Sequence, residues 1–109
     1  MKILGIGVDI VENSRITKLL KDKKSYYSKR FAAKEAFVKS IGTGFRDGFN
    51  FKDISIVNNK MGKPSFVISG KIKKIIKKEF KVSSFNFFLS ISDEKKYSIA
   101  YVILQKKWK

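Results

Sequence analysis

Residues 31–39 read Phe-Ala-Ala-Lys-Glu-Ala-Phe-Val-Lys, with three alanines at helical spacing. Residues three and four positions apart share one face of a helix, so the pattern predicts a helix with a buried side. The small alanine side chains allow another backbone to approach this helix closely. Residues 2–9 are almost continuously apolar and contain Gly5 and Gly7, which is typical of a strand at a place of close approach.

The remaining hydrophobic patterns predict a compact single α+β domain over residues 1–109, with a mainly antiparallel sheet and helices packed on one face. The 43% hydrophobic content is sufficient for a folded core. The predicted elements are a strand at 2–9, a helical stretch after Asp9 and Glu12 with Ile16, Leu19 and Leu20 inward, a linker at 21–25, a helix at 26–41 ending at Gly42-Thr43-Gly44, a loop at 44–50, a hairpin of strands 51–57 and 65–69, a helix at 71–80, and a hairpin of strands 84–92 and 97–106.

The net charge of +16 arises from 25 basic and 9 acidic residues. Such a surface attracts nucleic acid, anionic membranes or acidic proteins. All the basic residues except Arg15, Arg30 and Arg46 are lysines, and Ile, Phe and Asn are also abundant. An AT-rich genome tends to produce this bias in amino-acid composition. The high net positive charge is therefore explained equally well by selection for binding and by mutational bias.

The chain contains no histidine and no cysteine. Their absence excludes disulfides, thiolate metal sites, the usual zinc ligands and the usual general base at neutral pH. The apolar stretch from Met1 to Val11 lacks a basic leader region, a cleavage site and the length of a membrane span. We therefore expect a soluble, cytoplasmic protein.

Two carboxylates and two lysines form the candidate reactive site. Asp9 ends the N-terminal strand, while Glu35 lies on the helix with Lys34 beside it and Lys39 one turn further. Magnesium is usually held by one or two carboxylates together with water and substrate phosphate oxygens, and lysines neutralise the remaining phosphate charge. A simpler interpretation is also open: Asp9 caps the following helix, and Glu35 and Lys39 form a solvated pair worth about 0.3–0.5 kcal/mol.

These residues resemble the two-part signature of the phosphopantetheinyl transferases, and in particular the small bacterial holo-[acyl-carrier-protein] synthases. The resemblance extends over nearly the whole chain. It is carried by Gly5-Ile6-Gly7-Val8-Asp9-Ile10-Val11-Glu12, Arg30-Phe31-Ala32-Ala33-Lys34-Glu35-Ala36-Phe37 with Lys39, Gly42-Thr43-Gly44, Gly62-Lys63-Pro64 and Leu89-Ser90-Ile91-Ser92.

The resemblance implies transfer of the 4′-phosphopantetheine arm of coenzyme A to a serine of acyl carrier protein, with release of adenosine 3′,5′-bisphosphate. Asp9 and Glu35 would ligate Mg²⁺, with Mn²⁺ as an alternative, and Glu35 and Lys39 would be the catalytic residues. Lys39 would stabilise charge on the phosphate under attack. Coenzyme A would also contact Arg30, Lys34 and the loop Gly62-Lys63-Pro64, which a neighbouring subunit of a homotrimer would supply.

Acyl carrier proteins in this family are acidic around their serine, so the resemblance makes Arg15, Lys18 and Lys21 a docking face. An ordinary solvated face is the alternative. The serine proton would pass to a metal-bound water or hydroxide, to a carboxylate such as Glu35, or to the substrate phosphate; we favour the metal-bound water.

The sequence departs from the family pattern in two places. The connection from Ile16 to Lys29 is shorter than usual, and Phe88 and Asp93 stand near the Ser-Ile-Ser strand where relatives tend to carry histidines. Asp93 is either an additional acidic group near the metal or a residue that closes the hairpin turn.

The sequence is also compatible with two other functions. A small basic RNA-binding protein would use Phe85, Phe87, Phe88, Tyr97 and Tyr101 as a stacking surface. A family member without activity would keep the fold alone, although the retention of Asp9, Glu35 and Lys39 argues against it.

Overall fold

The computed structural model describes residues 2–17, 24–42 and 50–107 of the 109-residue chain. Its helices are α1 (Asn13–Thr17), α2 (Lys24–Ile41) and α3 (Gly70–Phe80), with a 3₁₀ turn at Phe51–Asp53. Its strands are β1 (Lys2–Glu12), β2 (Ile54–Asn58), β3 (Pro64–Ile68), β4 (Phe85–Asp93) and β5 (Tyr97–Lys106). The element order is the predicted one.

The strands are divided between two antiparallel sheets. β5 lies between β1 and β4 in a three-stranded sheet, whereas β2 and β3 pair with each other. In the larger sheet Asp9 is opposite Ala100, and Ala100 is opposite Ile91. Paired residues point to the same face of a sheet, so this row of side chains faces the same way. These helices and antiparallel strands confirm the predicted α+β class, but the strands form two sheets and not one.

Backbone-to-backbone contact joins β1 to α2. A Cβ atom added to Gly5 would lie 1.9 Å from the carbonyl oxygen of Ser40, and one added to Gly7 would lie 1.9 Å from that of Ala36. On the helix, the alanines at 32, 33 and 36 are completely buried. The glycines and the alanines are thus two sides of one contact, which leaves no space for a larger side chain.

The core consists of two hydrophobic clusters that share Phe66 and Phe87 at their borders. Phe37 of α2 stacks on Phe87 with a centroid distance of 4.3 Å, and Phe66 meets Phe37 edge-on at 4.9 Å. Such aromatic contacts add about 0.5–1.5 kcal/mol each beyond the area they bury. This aromatic group ties the β2–β3 sheet to α2 and to the larger sheet.

Several predicted boundaries are corrected by the structure. β1 continues to Glu12, so Asp9 lies within a strand and does not cap the next helix. α2 begins at Lys24, so the last two residues of the predicted 21–25 linker are helical. Leu19, Leu20 and most of the predicted loop at 44–50 lie outside the described residues.

The predicted strand at 51–57 is also shortened at its start. Phe51–Asp53 forms a 3₁₀ turn because the side chain of Asn50 accepts a hydrogen bond of 3.0 Å from the backbone amide of Lys52. Capping by an Asn side chain competes locally with strand formation. The strand therefore begins only at Ile54.

The aromatic residues of the C-terminal hairpin do not share one face. Phe85 and Phe87 pack against the second core cluster on the helix side of the sheet. Phe88, Tyr97 and Tyr101 lie on the opposite face of the sheet and are exposed. The stacking surface required by the RNA-binding interpretation is therefore not formed.

The sheet face opposite α2 is apolar and exposed. Its side chains come from all three strands and are 39–58% exposed in the single chain: Ile6, Val8, Ile10, Phe88, Ile99 and Tyr101. Contiguous apolar patches of this kind usually mark an interaction surface. In the part of the chain that the structure describes, no helix combines the length and apolar character needed to cross a membrane.

Replacing Gly7 with alanine tests the contact between β1 and α2. We expect Gly7→Ala to lower the free energy of unfolding by about 1–3 kcal/mol, because the added methyl group overlaps the backbone of α2. Chemical denaturation monitored by circular dichroism would measure the change.

Gly70→Ala is the matched control for this substitution. Gly70 begins α3 and has no atom within 4 Å of an added Cβ, so alanine should leave stability unchanged or raise it by up to ~1 kcal/mol. Equal effects of the two substitutions would contradict the proposed contact.

Candidate active site

Asp9 and Lys39 meet where β1 crosses α2. The Lys39 Nζ atom lies 3.0 Å from Asp9 Oδ1 and donates a second hydrogen bond of 3.2 Å to the carbonyl oxygen of Val8. The Asp9 side chain is 15% exposed and that of Lys39 is 55% exposed. The carboxylate is therefore largely enclosed, while the lysine remains accessible to a ligand from solvent.

Glu35 lies on the same side of α2, one helical turn before Lys39. Burial raises the pKa of Glu35, the negative charge of Asp9 raises it further, and the Lys39 ammonium group lowers it in part. Like charges disfavour ionisation only when they are close. The two carboxylates predicted from distant segments are thus brought together. The positive charge of Lys39 partly neutralises their negative charges.

Two neighbouring carboxylates fit a hard divalent cation. Among residues 2–17, 24–42 and 50–107, no cluster of three or more His, Cys, Asp or Glu side chains could hold a metal. A complete protein cage is thus not formed by these residues. An incomplete oxygen shell is nevertheless what Mg²⁺ usually has in proteins, where water and substrate phosphates supply the remaining ligands. The assignment of Asp9 and Glu35 as ligands remains a prediction.

Arg30 and Lys34 lie earlier on α2 and are held by aromatic residues. The Arg30 guanidinium carbon is 3.7 Å from the centroid of the Tyr26 ring, a cation–π contact. Lys34 Nζ donates a hydrogen bond of 3.1 Å to the carbonyl oxygen of Phe51. Burial lowers the pKa of Lys34, and the nearby Arg30 charge lowers it further. Both cations are therefore positioned by the fold itself.

A pocket of about 140 Å³ joins Arg30 to the β2–β3 turn. Its wall includes Gly62 and Pro64, so part of the predicted loop lies beside Arg30 within a single chain. Lys63 instead lines a neighbouring cleft along β4 and β5, together with Phe88 and Tyr101. Pro64 lines both depressions, so the loop borders the two of them.

The β2–β3 turn is shaped by one asparagine. Asn59 Oδ1 accepts hydrogen bonds of 2.9 Å from the backbone amides of Met61 and Lys63. Gly62 has a positive φ of 86°, a conformation that other residues rarely adopt. The loop therefore has a defined shape before any ligand binds.

The pocket has three further polar lining residues: Lys29, Asn58 and Asp93. The sequence offered Asp93 only as one of two alternatives, an acidic group near the metal, and it did not identify Lys29 or Asn58. Asp93 is the last residue of β4, next to the hairpin turn, and it also borders the pocket near Arg30. These residues belong to three distant segments and form no motif. Only the spatial contact reveals Lys29 and Asn58.

The predicted docking face is described in part. Arg15 lies on α1 and is exposed. Lys18 and Lys21 lie outside the described residues. The role of all three in docking remains a prediction.

Comparison with known proteins identifies the family. Residues 16–102 match the model of the 4′-phosphopantetheinyl transferase superfamily. The chain belongs to this superfamily. It is 66% identical to a holo-[acyl-carrier-protein] synthase of Pelagibacter ubique, in an alignment that covers 98% of this chain and 100% of that relative.

Solved structures of phosphopantetheinyl transferases agree with the fold. The crystal structure of the Neisseria meningitidis holo-[acyl-carrier-protein] synthase superposes with a TM-score of 0.83 at 34% identity, covering 96% of this chain and 100% of that one. A Bacillus anthracis synthase in complex with CoA (3′,5′-ADP) gives a TM-score of 0.78 at 30% identity, covering 96% and 98%.

The chain is shorter than its Pelagibacter relative. Their alignment spans 128 positions, whereas this chain has 109 residues, so the relative contains a stretch without a counterpart here. A shortened transferase was expected from the sequence. That the missing stretch falls between Ile16 and Lys29 remains a prediction.

Replacing Glu35 with glutamine tests the charge balance of the site. A carboxyl group whose pKa is higher in the folded state than in the unfolded state favours unfolding once both states are ionised. In a metal-free buffer, Glu35→Gln should therefore raise the melting temperature at neutral pH. The gain should shrink as the pH falls towards the ordinary glutamate value of 4.5, where protonation of the wild type removes the penalty.

Thermal unfolding between pH 4 and pH 8 would measure this difference. Glu79→Gln, on the exposed side of α3, is the control that removes a carboxylate elsewhere. The same pH dependence in both variants would contradict the proposed crowding of charge at Glu35.

Proposed function

We propose that this protein transfers the 4′-phosphopantetheine group of coenzyme A to a serine hydroxyl of apo-acyl carrier protein, releasing adenosine 3′,5′-bisphosphate. The observation that carries the proposal is the meeting of Asp9, Glu35 and Lys39 at the contact between β1 and α2. Holo-[acyl-carrier-protein] synthases among the relatives, and the coenzyme A complex of the Bacillus anthracis structure, support the same reaction. We assign it to one cytoplasmic domain spanning residues 1–109.

Asp9 and Glu35 would hold Mg²⁺, with Mn²⁺ as the alternative ion. When bound, the cation would neutralise charge on the pyrophosphate of coenzyme A and on the leaving group. The enclosed Asp9 carboxylate and the raised pKa of Glu35 support this assignment, because a cation at this place would relieve the repulsion between them.

Lys39 would act on the phosphorus under attack. Its ammonium group is more than half exposed and is anchored to Asp9, so a phosphate bound next to the carboxylates comes within its reach. In the reaction the serine oxygen would form a bond to phosphorus while the bond from that phosphorus to adenosine 3′,5′-bisphosphate breaks. The serine proton would pass to a metal-bound water or hydroxide, to Glu35 or to a phosphate oxygen of the substrate. Lys39 stabilises the charge on the oxygens of that phosphorus, without making a covalent bond.

Arg30 and Lys34 would bind the other phosphates of coenzyme A, together with the turn at Gly62, Lys63 and Pro64. The pocket between Arg30 and the turn supports this division of roles. Because aromatic and backbone contacts already hold both cations, little side-chain freedom is lost on binding.

The transfer reaction itself is tested by mass spectrometry of apo-acyl carrier protein incubated with coenzyme A and Mg²⁺. The wild type should add one phosphopantetheine group, and chelation of the metal should abolish the addition. Asp9→Asn and Glu35→Gln should have the same effect, since each removes a charged ligand. Lys39→Met should slow turnover by roughly 10²–10³-fold, the usual cost of losing one group that stabilises charge in the transition state.

Lys74→Met is the matched control, because Lys74 is an exposed lysine on α3. It should transfer at the wild-type rate. A wild type that adds nothing to folded carrier protein, or an Asp9→Asn variant that keeps full activity, would refute the proposed reaction or its site respectively.

The exposed apolar face of the larger sheet would form the interface of a homotrimer, with active sites between subunits. Val8 and Ile10 on β1 and Tyr101 on β5 contribute to this face. Burying such a patch against two other copies would remove it from water.

Light scattering coupled to size-exclusion chromatography tests the trimer. We expect a mass three times the 12.5 kDa of the chain, and we expect Val8→Glu to reduce it because a buried charge disfavours the interface. Val67→Glu, an exposed position on the smaller sheet, should leave the mass unchanged. A wild type with the mass of a single chain would overturn the assembly.

A further inference from the structure

One buried residue, Asn13, holds the turn between β4 and β5. Its backbone amide donates to the carbonyl oxygen of Lys96 at 2.7 Å, and its side-chain Nδ2 donates to those of Glu94 and Lys95 at 3.0 and 3.2 Å. Three consecutive carbonyl groups of the turn thus accept from a single residue, more than 80 positions away in the sequence.

Asn13 is also bonded to β5. Ser98 is completely buried, and its hydroxyl group donates to Asn13 Oδ1 at 2.8 Å. Asn13 itself is only 4% exposed. A buried amide with both ends satisfied adopts one orientation, because any rotation would leave polar groups without partners.

Asn13 is also the first residue of α1. The described part of this helix, Asn13–Thr17, is little more than one turn, and so few residues do not set their own orientation. Its anchors are Asn13 at the start and Ile16, which packs against the first core cluster. The direction of the exposed Arg15 between them depends on both anchors.

We propose that Asn13 is a positioning residue for the protein substrate: by joining α1 to the β4–β5 turn, it fixes the surface that carries Arg15 for an acidic partner. This inference rests on the proposed function, in which that partner is acyl carrier protein. The residues proposed to bind coenzyme A lie on α2 and on the β2–β3 turn, which Asn13 does not touch through the bonds described above. Asp93, which borders their pocket just before the β4–β5 turn, is held separately by its pairing with Ser98 in the ladder. Loss of the side-chain bonds therefore affects the protein substrate and spares coenzyme A.

Two variants separate this role from a purely structural one. Asn13→Leu removes both Nδ2 bonds to the turn and leaves the buried Ser98 hydroxyl without its acceptor, so it lowers the melting temperature. Asn13→Leu with Ser98→Ala removes that unpaired hydroxyl as well and recovers much of the melting temperature. In both variants the backbone bond from position 13 to the carbonyl oxygen of Lys96 remains.

Steady-state kinetics with apo-acyl carrier protein and coenzyme A gives the decisive readout. We expect both variants to raise KM for the carrier protein on the order of tenfold, because a surface that must be ordered on docking binds more weakly. KM for coenzyme A stays at the wild-type value. Ser98→Ala alone keeps the turn bonds and retains the wild-type KM for the carrier protein.

The double variant decides between the two roles. Recovery of both the melting temperature and the KM for carrier protein would overturn the inference and leave Asn13 a structural residue. Equal rises in both KM values would also overturn it. A wild type without transfer activity would refute the proposed function instead, which distinguishes the two failures.

Discussion

The close contact between β1 and α2 is the constraint on which the candidate site depends. Gly5 and Gly7 place the strand directly on the backbone of α2 at Ser40 and Ala36. With no side chains between the two elements, residues next to the contact on each element are necessarily near one another. Asp9 on the strand and Glu35 on the helix are brought together in this way, although 26 positions separate them in the sequence.

This contact has an electrostatic consequence. Burial and the nearby Asp9 charge raise the pKa of Glu35, and the Lys39 ammonium group offsets this in part. Arrangements that cost stability are common at functional sites. Under the proposed function, a bound cation and phosphate groups would complete the charge balance.

Much of the fold was predictable because helices and strands have characteristic periods. The apolar positions 72, 75, 76 and 80 predicted α3, and alternation along 84–92 and 97–106 predicted the last hairpin. Element ends were less well predicted, since side-chain caps decide them: Asn50 converts the start of a predicted strand into a 3₁₀ turn. The division of the strands into two sheets has no local signal, because pairing joins distant segments.

The sequence by itself determined the chemistry available to this protein: two carboxylates and a lysine at family spacing, in a chain without histidine or cysteine. The tertiary structure alone decided which residues accompany them. It placed Asp93 beside Arg30 and the β2–β3 turn, and it joined Asn13 to a turn more than 80 residues away. The physical reason is that such contacts depend on how separate elements pack against each other, whereas residue type and period depend only on neighbours along the chain.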